Sequence, residues 1–438
     1  MPSPPQPVPP LPLELIDRVI DKIAELPNNH ERRNGLASSH RHLFALITFR
    51  LGTTQRLFVQ KKLSALRNII NADPHSETTG IASHIRDFCV NVLGLFFRRV
   101  FTDDTLAAIQ RRLFRTREGR LSLIVGGGSE MDWGKVGKDF ESAFFDLCRN
   151  SQMTALQLGG FNGLPLNVFH GPNIKHIEIS RLDSWKSAMQ GFNQEPIRLK
   201  SISTDHSAPI LDLLRSESNP RSTQWLFSKF KGLNTSIYKD EHVTQTMSII
   251  SCAPALDTLV VEVSASVCGT PVETLIWTQI PNLRRLKIVH KEQFTRECLE
   301  APSKCAAIRI LDILEDPSPS LKALCLDFII YPLNLAYGES LRHYNYASID
   351  AALVWIANTR YRHVEHFIIR SIGQFGLLPP GFNGGAFVAQ EDRRFKTQFP
   401  LLYEKCPGSL HLSFKLDYAR PGDVLEGEQA GFYQSQWI

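Results

Sequence analysis

One spacing of apolar residues recurs along most of this chain, and it limits the possible folds more than any other feature. Residues 281–289 read PNLRRLKIV, which sets Leu283, Leu286 and Ile288 as L-x-x-L-x-L. In an extended strand Leu286 and Ile288 point to one face, and Leu283 joins them from the preceding turn. The spacing returns as Ile85/Phe88/Val90, Met153/Leu156/Leu158, Ile174/Ile177/Ile179, Leu256/Leu259/Val261, Leu321/Leu324/Leu326 and Val364/Phe367/Ile369. Weaker copies sit at Leu199/Ile202/Thr204 and around Leu121/Leu123 and Leu410/Leu412. Because 43% of the residues are apolar, one copy would be noise. Seven copies, several preceded by helix-patterned segments, indicate a repeat architecture.

At 438 residues the chain exceeds the size at which one core usually stops growing, a limit that a solenoid avoids by adding core one repeat at a time. Helices are expected at 102–115 (capped by Thr102), 139–149, 209–215, 241–252, 271–279, 305–315, 349–358 and 390–404. Each unit is then a helix, a turn and a strand. Stacked units give an α/β fold: an irregular parallel sheet with helices along one side, over residues 81–416, followed by a tail at 417–438.

The N-terminal part differs. Residues 1–10 hold six prolines and form an extended arm, since proline supplies no donor to a helix or sheet. Residues 11–26, LPLELIDRVIDKIAEL, form an amphipathic helix. Leu15, Ile16, Val19, Ile20 and Ile23 make one apolar stripe, Pro12 suits the first turn, and Pro27 closes the helix. Helical patterning continues to residue 70, so 11–70 is expected as a separate helical module. This end is also basic. Residues 1–120 carry 18 Lys and Arg against 11 Asp and Glu, whereas the whole chain has a net charge of only +5.

The string L-P-x-E-L-I-x-x-V-I-x-x-I, from Leu11 to Ile23, resembles the first helix of an F-box, the module that binds the Skp adaptor of cullin–RING ubiquitin ligases. Arg41-His42-Leu43-Phe44 with Ile47 and Phe49 resembles a segment that follows the F-box in many mushroom-type fungal proteins. The downstream strands resemble the leucine-rich repeats of the same proteins. The match departs in two places. The stretch between Asn34 and Phe44 is shortened and lacks the tryptophan of the family's second half. The repeats lack the Asn or Cys that normally serves the strand-to-turn corner. The resemblance implies an F-box-like module in which Leu11, Pro12, Leu15, Ile16, Val19, Ile20 and Ile23 contact the Skp adaptor. It also implies a repeat surface that binds a protein target.

Signatures of chemistry are sparse. Gly126-Gly127-Gly128 follows an expected strand but matches neither G-x-G-x-x-G nor a Walker loop. His363 and His366 would point to opposite faces of a strand, and Cys298 and Cys305 have no partner at metal-ligand spacing. Glu391 and Asp392 are expected at a helix start, where the dipole accounts for them. No catalytic residue, metal or cofactor is expected. The eight cysteines form no C-x-x-C pair and are expected to be reduced thiols, mostly buried, in the cytoplasm or nucleus of a protein that is not secreted. No apolar run suits a membrane span. The alternatives to a ligase adaptor are a repeat scaffold without ligase binding and a weak nucleic-acid-associated protein acting through the basic end.

Two segments, 329–346 and 371–389, are long for repeat connections and rich in aromatics. From them Tyr331, Tyr337, Tyr344, Tyr346, Phe375 and Phe382 are expected to bind the target, because tyrosine and other aromatics present large, stiff contact areas.

Overall fold

The computed structural model describes residues 50–51, most of 63–71, 82, 85–93, 97–126, 130–165, 172–180, 185–186, 199–205, 229–237, 240–264, 280–294, 318, 320–332, 346–359, 364–377, 383–406 and 408–419. The arm, the F-box-like helix, the tail beyond residue 419 and the helices expected at 209–215, 271–279 and 305–315 lie outside these residues. The chain divides into two compact units, the first formed by residues 1–174 with 186–192 and the second by 175–185 with 193–438. Both are built on parallel strands.

In the first unit β1 (Arg50–Leu51), β2 (Asp87–Leu93), β3 (Gly119–Gly126) and β4 (Met153–Gly159) pair in that order, all parallel. Phe88, Leu121 and Leu156 are aligned across β2–β4, and so are Val90, Leu123 and Leu158. The helix expected at 102–115 is instead two, α1 (Phe97–Thr102) and α2 (Asp104–Gln110). Asp103 separates them. Its carboxylate accepts from the Thr105 N–H at 2.7 Å, so it takes the capping role expected of Thr102. Phe101 is fully buried, edge-on to Phe140 of α3 (Lys138–Asn150) and to Phe161. Trp133 joins this aromatic group and donates its indole N–H to Glu141. Phe114 has φ 53°, and its ring lies where a Cβ on Gly119 would stand, 2.0 Å away, so only glycine fits at 119.

The second unit stacks eight strands: β5 (His176–Ser180), β6 (Ser201–Asp205), β7 (Gly232–Ile237), β8 (Thr258–Ser264), β9 (Arg285–Phe294), β10 (Ala323–Pro332), β11 (His366–Leu377) and β12 (Leu410–Ala419). Each pairs in parallel with the next. The register explains the leucine spacing. Ile177, Ile202, Leu233, Leu259, Leu286, Leu324, Phe367 and Leu410 form one row across the sheet. Ile179, Thr204, Thr235, Val261, Ile288, Leu326, Ile369 and Leu412 form the next. The residue that opens each motif, such as Ile174, Leu256, Leu283 or Leu321, is buried at the turn below.

A backbone relay holds this register. The Lys200 carbonyl accepts from the N–H groups of Lys231 and Gly232, the Lys231 carbonyl from Asp257 and Thr258, and the Asp257 carbonyl from Arg284 and Arg285. Arg284 and Lys322 repeat the pattern toward β10 and β11. Strand β7 was not expected. Its motif, Phe230/Leu233/Thr235, has threonine in the last place, as the weak copy on β6 does.

The helices α4 (Asp240–Cys252), α5 (Tyr346–Thr359) and α6 (Gly384–Lys396) all reach the same face of the sheet. Thr246 of α4 meets Thr235, the Tyr346 hydroxyl meets Ser371, and Phe387 of α6 packs edge-on to Phe414. The one helix expected at 390–404 is two, α6 and α7 (Pro400–Lys405). The break suits Pro400, whose fixed φ favours a first helical turn. From α5 the buried Asp350 carboxylate accepts the Leu401 and Leu402 N–H groups at 2.9 Å each, which caps α7. Glu391 and Asp392 therefore lie inside α6 and not at a helix start. Asp392 accepts the Phe414 N–H of β12 and pairs with Lys396. The long connection expected at 371–389 is mostly strand and helix, because β11 runs to Leu377 and α6 begins at Gly384.

Candidate functional site: the helix-free face of the second unit

Residues alternate across a strand, so the odd-numbered positions of β9 and β10 and the even-numbered ones of β11 up to Ile372 face away from the helices. Among the described residues no helix packs on that side. Toward β5–β8 it carries small and polar groups: His176, Ser201, Ser203, Asn234 and Thr258, with Asn234 donating to Ser203 at 3.0 Å. Toward β9–β11 it becomes charged.

Asp327 on β10 is the centre of that part. Arg370, its register partner on β11, holds it with two hydrogen bonds, Nε to Oδ1 at 2.6 Å and Nη2 to Oδ2 at 2.7 Å. Lys287, diagonal to it on β9, places Nζ 2.9 Å from Oδ2. The Asp327, Lys287 and Arg370 side chains are only 3%, 9% and 11% exposed, so these contacts are made largely out of water. Burial alone would raise the Asp327 carboxyl, but the Arg370 hydrogen bonds and the two nearby cations outweigh it and hold the group below its ordinary range. Cys325 lies beside them, its Sγ 3.4 Å from Asp327 Oδ1, and burial first, then the aspartate charge, pushes its thiol up to about 12. It is a neutral thiol at physiological pH, not an activated nucleophile. One row further along the strands, Lys291 pairs with Glu262 at 2.5 Å, and Val289, Ile329 and Ile372 form an apolar cluster with Val260.

On the helix side of β9, His290 is 1% exposed between Val263 and Phe328. Burial lowers its pKa to about 4. The neutral ring is therefore the folded form, while the unfolded ring takes a proton below about pH 6.5. Its contribution to stability is complete above that pH and is lost as the pH falls toward 4, amounting to about 3 kcal/mol across the window. Thermal melts between pH 7 and 4 should show the decline. The variant His290→Leu should flatten it, and an unchanged slope would refute the assignment.

The residues expected from sequence to bind a target or the adaptor are dispersed or undescribed. Leu11, Pro12, Leu15, Ile16, Val19, Ile20 and Ile23 lie outside the described residues, as do Tyr337, Tyr344 and Phe382. Tyr331 and Phe375 are placed by backbone only, Tyr331 opposite Gln293 on β9 and Phe375 opposite Tyr418 on β12. Tyr346 corrects the expectation. It opens α5, is 5% exposed, packs edge-on to Phe395 at 5.1 Å and lies 5.7 Å from Phe399, and its hydroxyl meets Ser371 at 2.9 Å. Its contact area lies inside the unit, so no target can reach it.

Of the candidate chemical groups, Gly126 ends β3 and His366 is exposed, while Gly127, Gly128, His363, Cys298 and Cys305 fall outside the described residues. Among the described residues no three His, Cys, Asp or Glu side chains are grouped to hold a metal, and no helix is long and apolar enough to cross a membrane. The charged centre at Asp327 was missed because Lys287, Cys325, Asp327 and Arg370 lie far apart in sequence. Only the register, which follows from the leucine spacing, brings them together. No protein-family model matches the chain, and no curated protein matches it either.

Proposed function

We propose that this chain is a non-catalytic interaction protein: a substrate-recognition adaptor of an SCF-type cullin–RING ubiquitin ligase. In this reading residues 11–70 are an F-box-like module that contacts the Skp adaptor, and the strands beyond are leucine-rich-repeat-like units that hold a protein target. The observation that carries it is the unbroken register of the second unit. Two apolar rows continue across eight strands, every described helix that touches the sheet lies on one side, and a broad polar face remains on the other. A sheet of this kind is suited to holding an extended partner. The L-P-x-E-L helix supports the ligase half of the reading.

Co-purification with the Skp protein tests it. The wild-type chain should retain the adaptor. Ile16→Asp or Val19→Asp should weaken the contact by about 3 kcal/mol, on the order of 100-fold, because each places a charge in an apolar contact. A folded wild-type chain that captures no Skp protein would leave a repeat scaffold without ligase binding.

A further inference from the structure

Two observations on the helix-free face concern charge. First, Lys287 and Arg370 share a single carboxylate. Each has Asp327 as its acidic partner, and Arg370 otherwise touches only the neutral thiol of Cys325. The neighbouring cations are already matched, Lys291 by Glu262 and Arg285 by Asp257. One positive charge is thus in excess at side chains about nine-tenths buried, with donors to spare on the Lys287 ammonium and on Arg370 Nη1. A surplus charge in such surroundings is costly to the fold and attracts an anion strongly.

Second, the residue just before each strand is repeatedly basic. Lys175, Lys200, Lys231, Arg284 and Lys322 occupy this place on β5, β6, β7, β9 and β10, against Asp257 and Glu365 on β8 and β11. Neighbouring strands lie about 4.8 Å apart, so these residues form a ladder along the sheet's lower edge, about 10 Å from Lys287. A ladder of this sign draws acidic partners in and repels basic ones.

We propose that the helix-free face of the second unit binds an acidic segment of a protein target, with one Asp or Glu carboxylate seated between Lys287 and Arg370. The surplus is a single charge, which a carboxylate balances and a phosphate would overfill. Between His176 and Ile329 the described side chains of this face include no Phe, Tyr or Trp on which nucleic-acid bases could stack. The inference rests on the adaptor reading for the identity of the partner as a protein target, but its test does not depend on Skp binding.

The test uses the full chain and a fluorescent hexaglutamate peptide, with binding read by anisotropy at two salt concentrations. The wild type should bind, more weakly at higher salt. Lys287→Met should lower affinity about tenfold while its melting temperature stays level or rises, because the Arg370–Asp327 pair remains intact without the surplus. Lys287→Arg should keep binding, and Skp co-purification should be the same for all three proteins. If Lys287→Met binds hexaglutamate as well as the wild type does, the peptide sits on the basic N-terminal region and the proposal fails. If Lys287→Met unfolds, the lysine is a structural counter-charge and the proposal fails as well. Tighter, Lys287-dependent binding of an oligouridylate of equal charge would replace the protein partner with a nucleic acid.

Discussion

Asp327→Ala should destabilise the second unit by about 4 kcal/mol, more than the loss of a typical surface ion pair, because it leaves Lys287 and Arg370 facing each other without an anion. In a two-state melt that corresponds to a fall in Tm on the order of 10 °C for a unit of this size. The effect belongs to the stranded charges more than to the lost bonds. Replacing Asp327, Lys287 and Arg370 together with Leu, Met and Met should therefore recover most of the loss. Acid should act in the same direction as the substitution. The Asp327 carboxyl is depressed in the folded state, so its contribution is complete above the ordinary carboxylate range and disappears as the pH falls through its folded value. A triple variant no more stable than Asp327→Ala would show that the network contributes by some other means.

Tyr346→Ala should cost about 4 kcal/mol, the range expected when a large buried ring is removed and its neighbours close only part of the space. The ring touches Phe395 and Phe399, which join α6 to the segment leading into α7, so its loss should loosen the C-terminal helices before the sheet. Tyr346→Phe should cost only about 1 kcal/mol, the value of the single hydrogen bond to Ser371. Hydrogen exchange locates the effect. Faster exchange at Leu401 and Leu402, with β9 and β10 unchanged, is the expected pattern. Uniform acceleration would mean that this aromatic group stabilises the whole unit.

Much of the sheet was legible in the sequence because one physical rule generates it. An apolar residue at every second strand position, anchored by another at the turn, fixes which face is buried and where the strand begins. That rule located β2, β4, β5 and β8–β11 in advance, with errors of a few residues at their ends. It passed over β7, where threonine stands in for the last apolar residue and hides the spacing. Helix boundaries were harder to read because they depend on single side chains. Asp103 splits one expected helix, and Pro400 splits another. The tyrosines of 329–346 were read by composition alone, which does not distinguish a solvent-facing ring from one that a helix start turns inward. Tyr346 is the second kind. The Asp327 centre was beyond sequence reading for the opposite reason. Its members are ordinary charged residues on three separate strands, and their meaning lies in the register.

Strand β12 is the last in the order of its sheet, and its outward edge has a consequence for self-association. The N–H groups of Leu410 and Phe414 point away from β11, and both are already engaged, by the Cys406 carbonyl and the Asp392 carboxylate. A thirteenth strand from another molecule would need those donors in unbroken alternation. With alternate rungs occupied from within, the ladder offers no template for fibre growth, and a row of eight like strands ends as a stopped polymer.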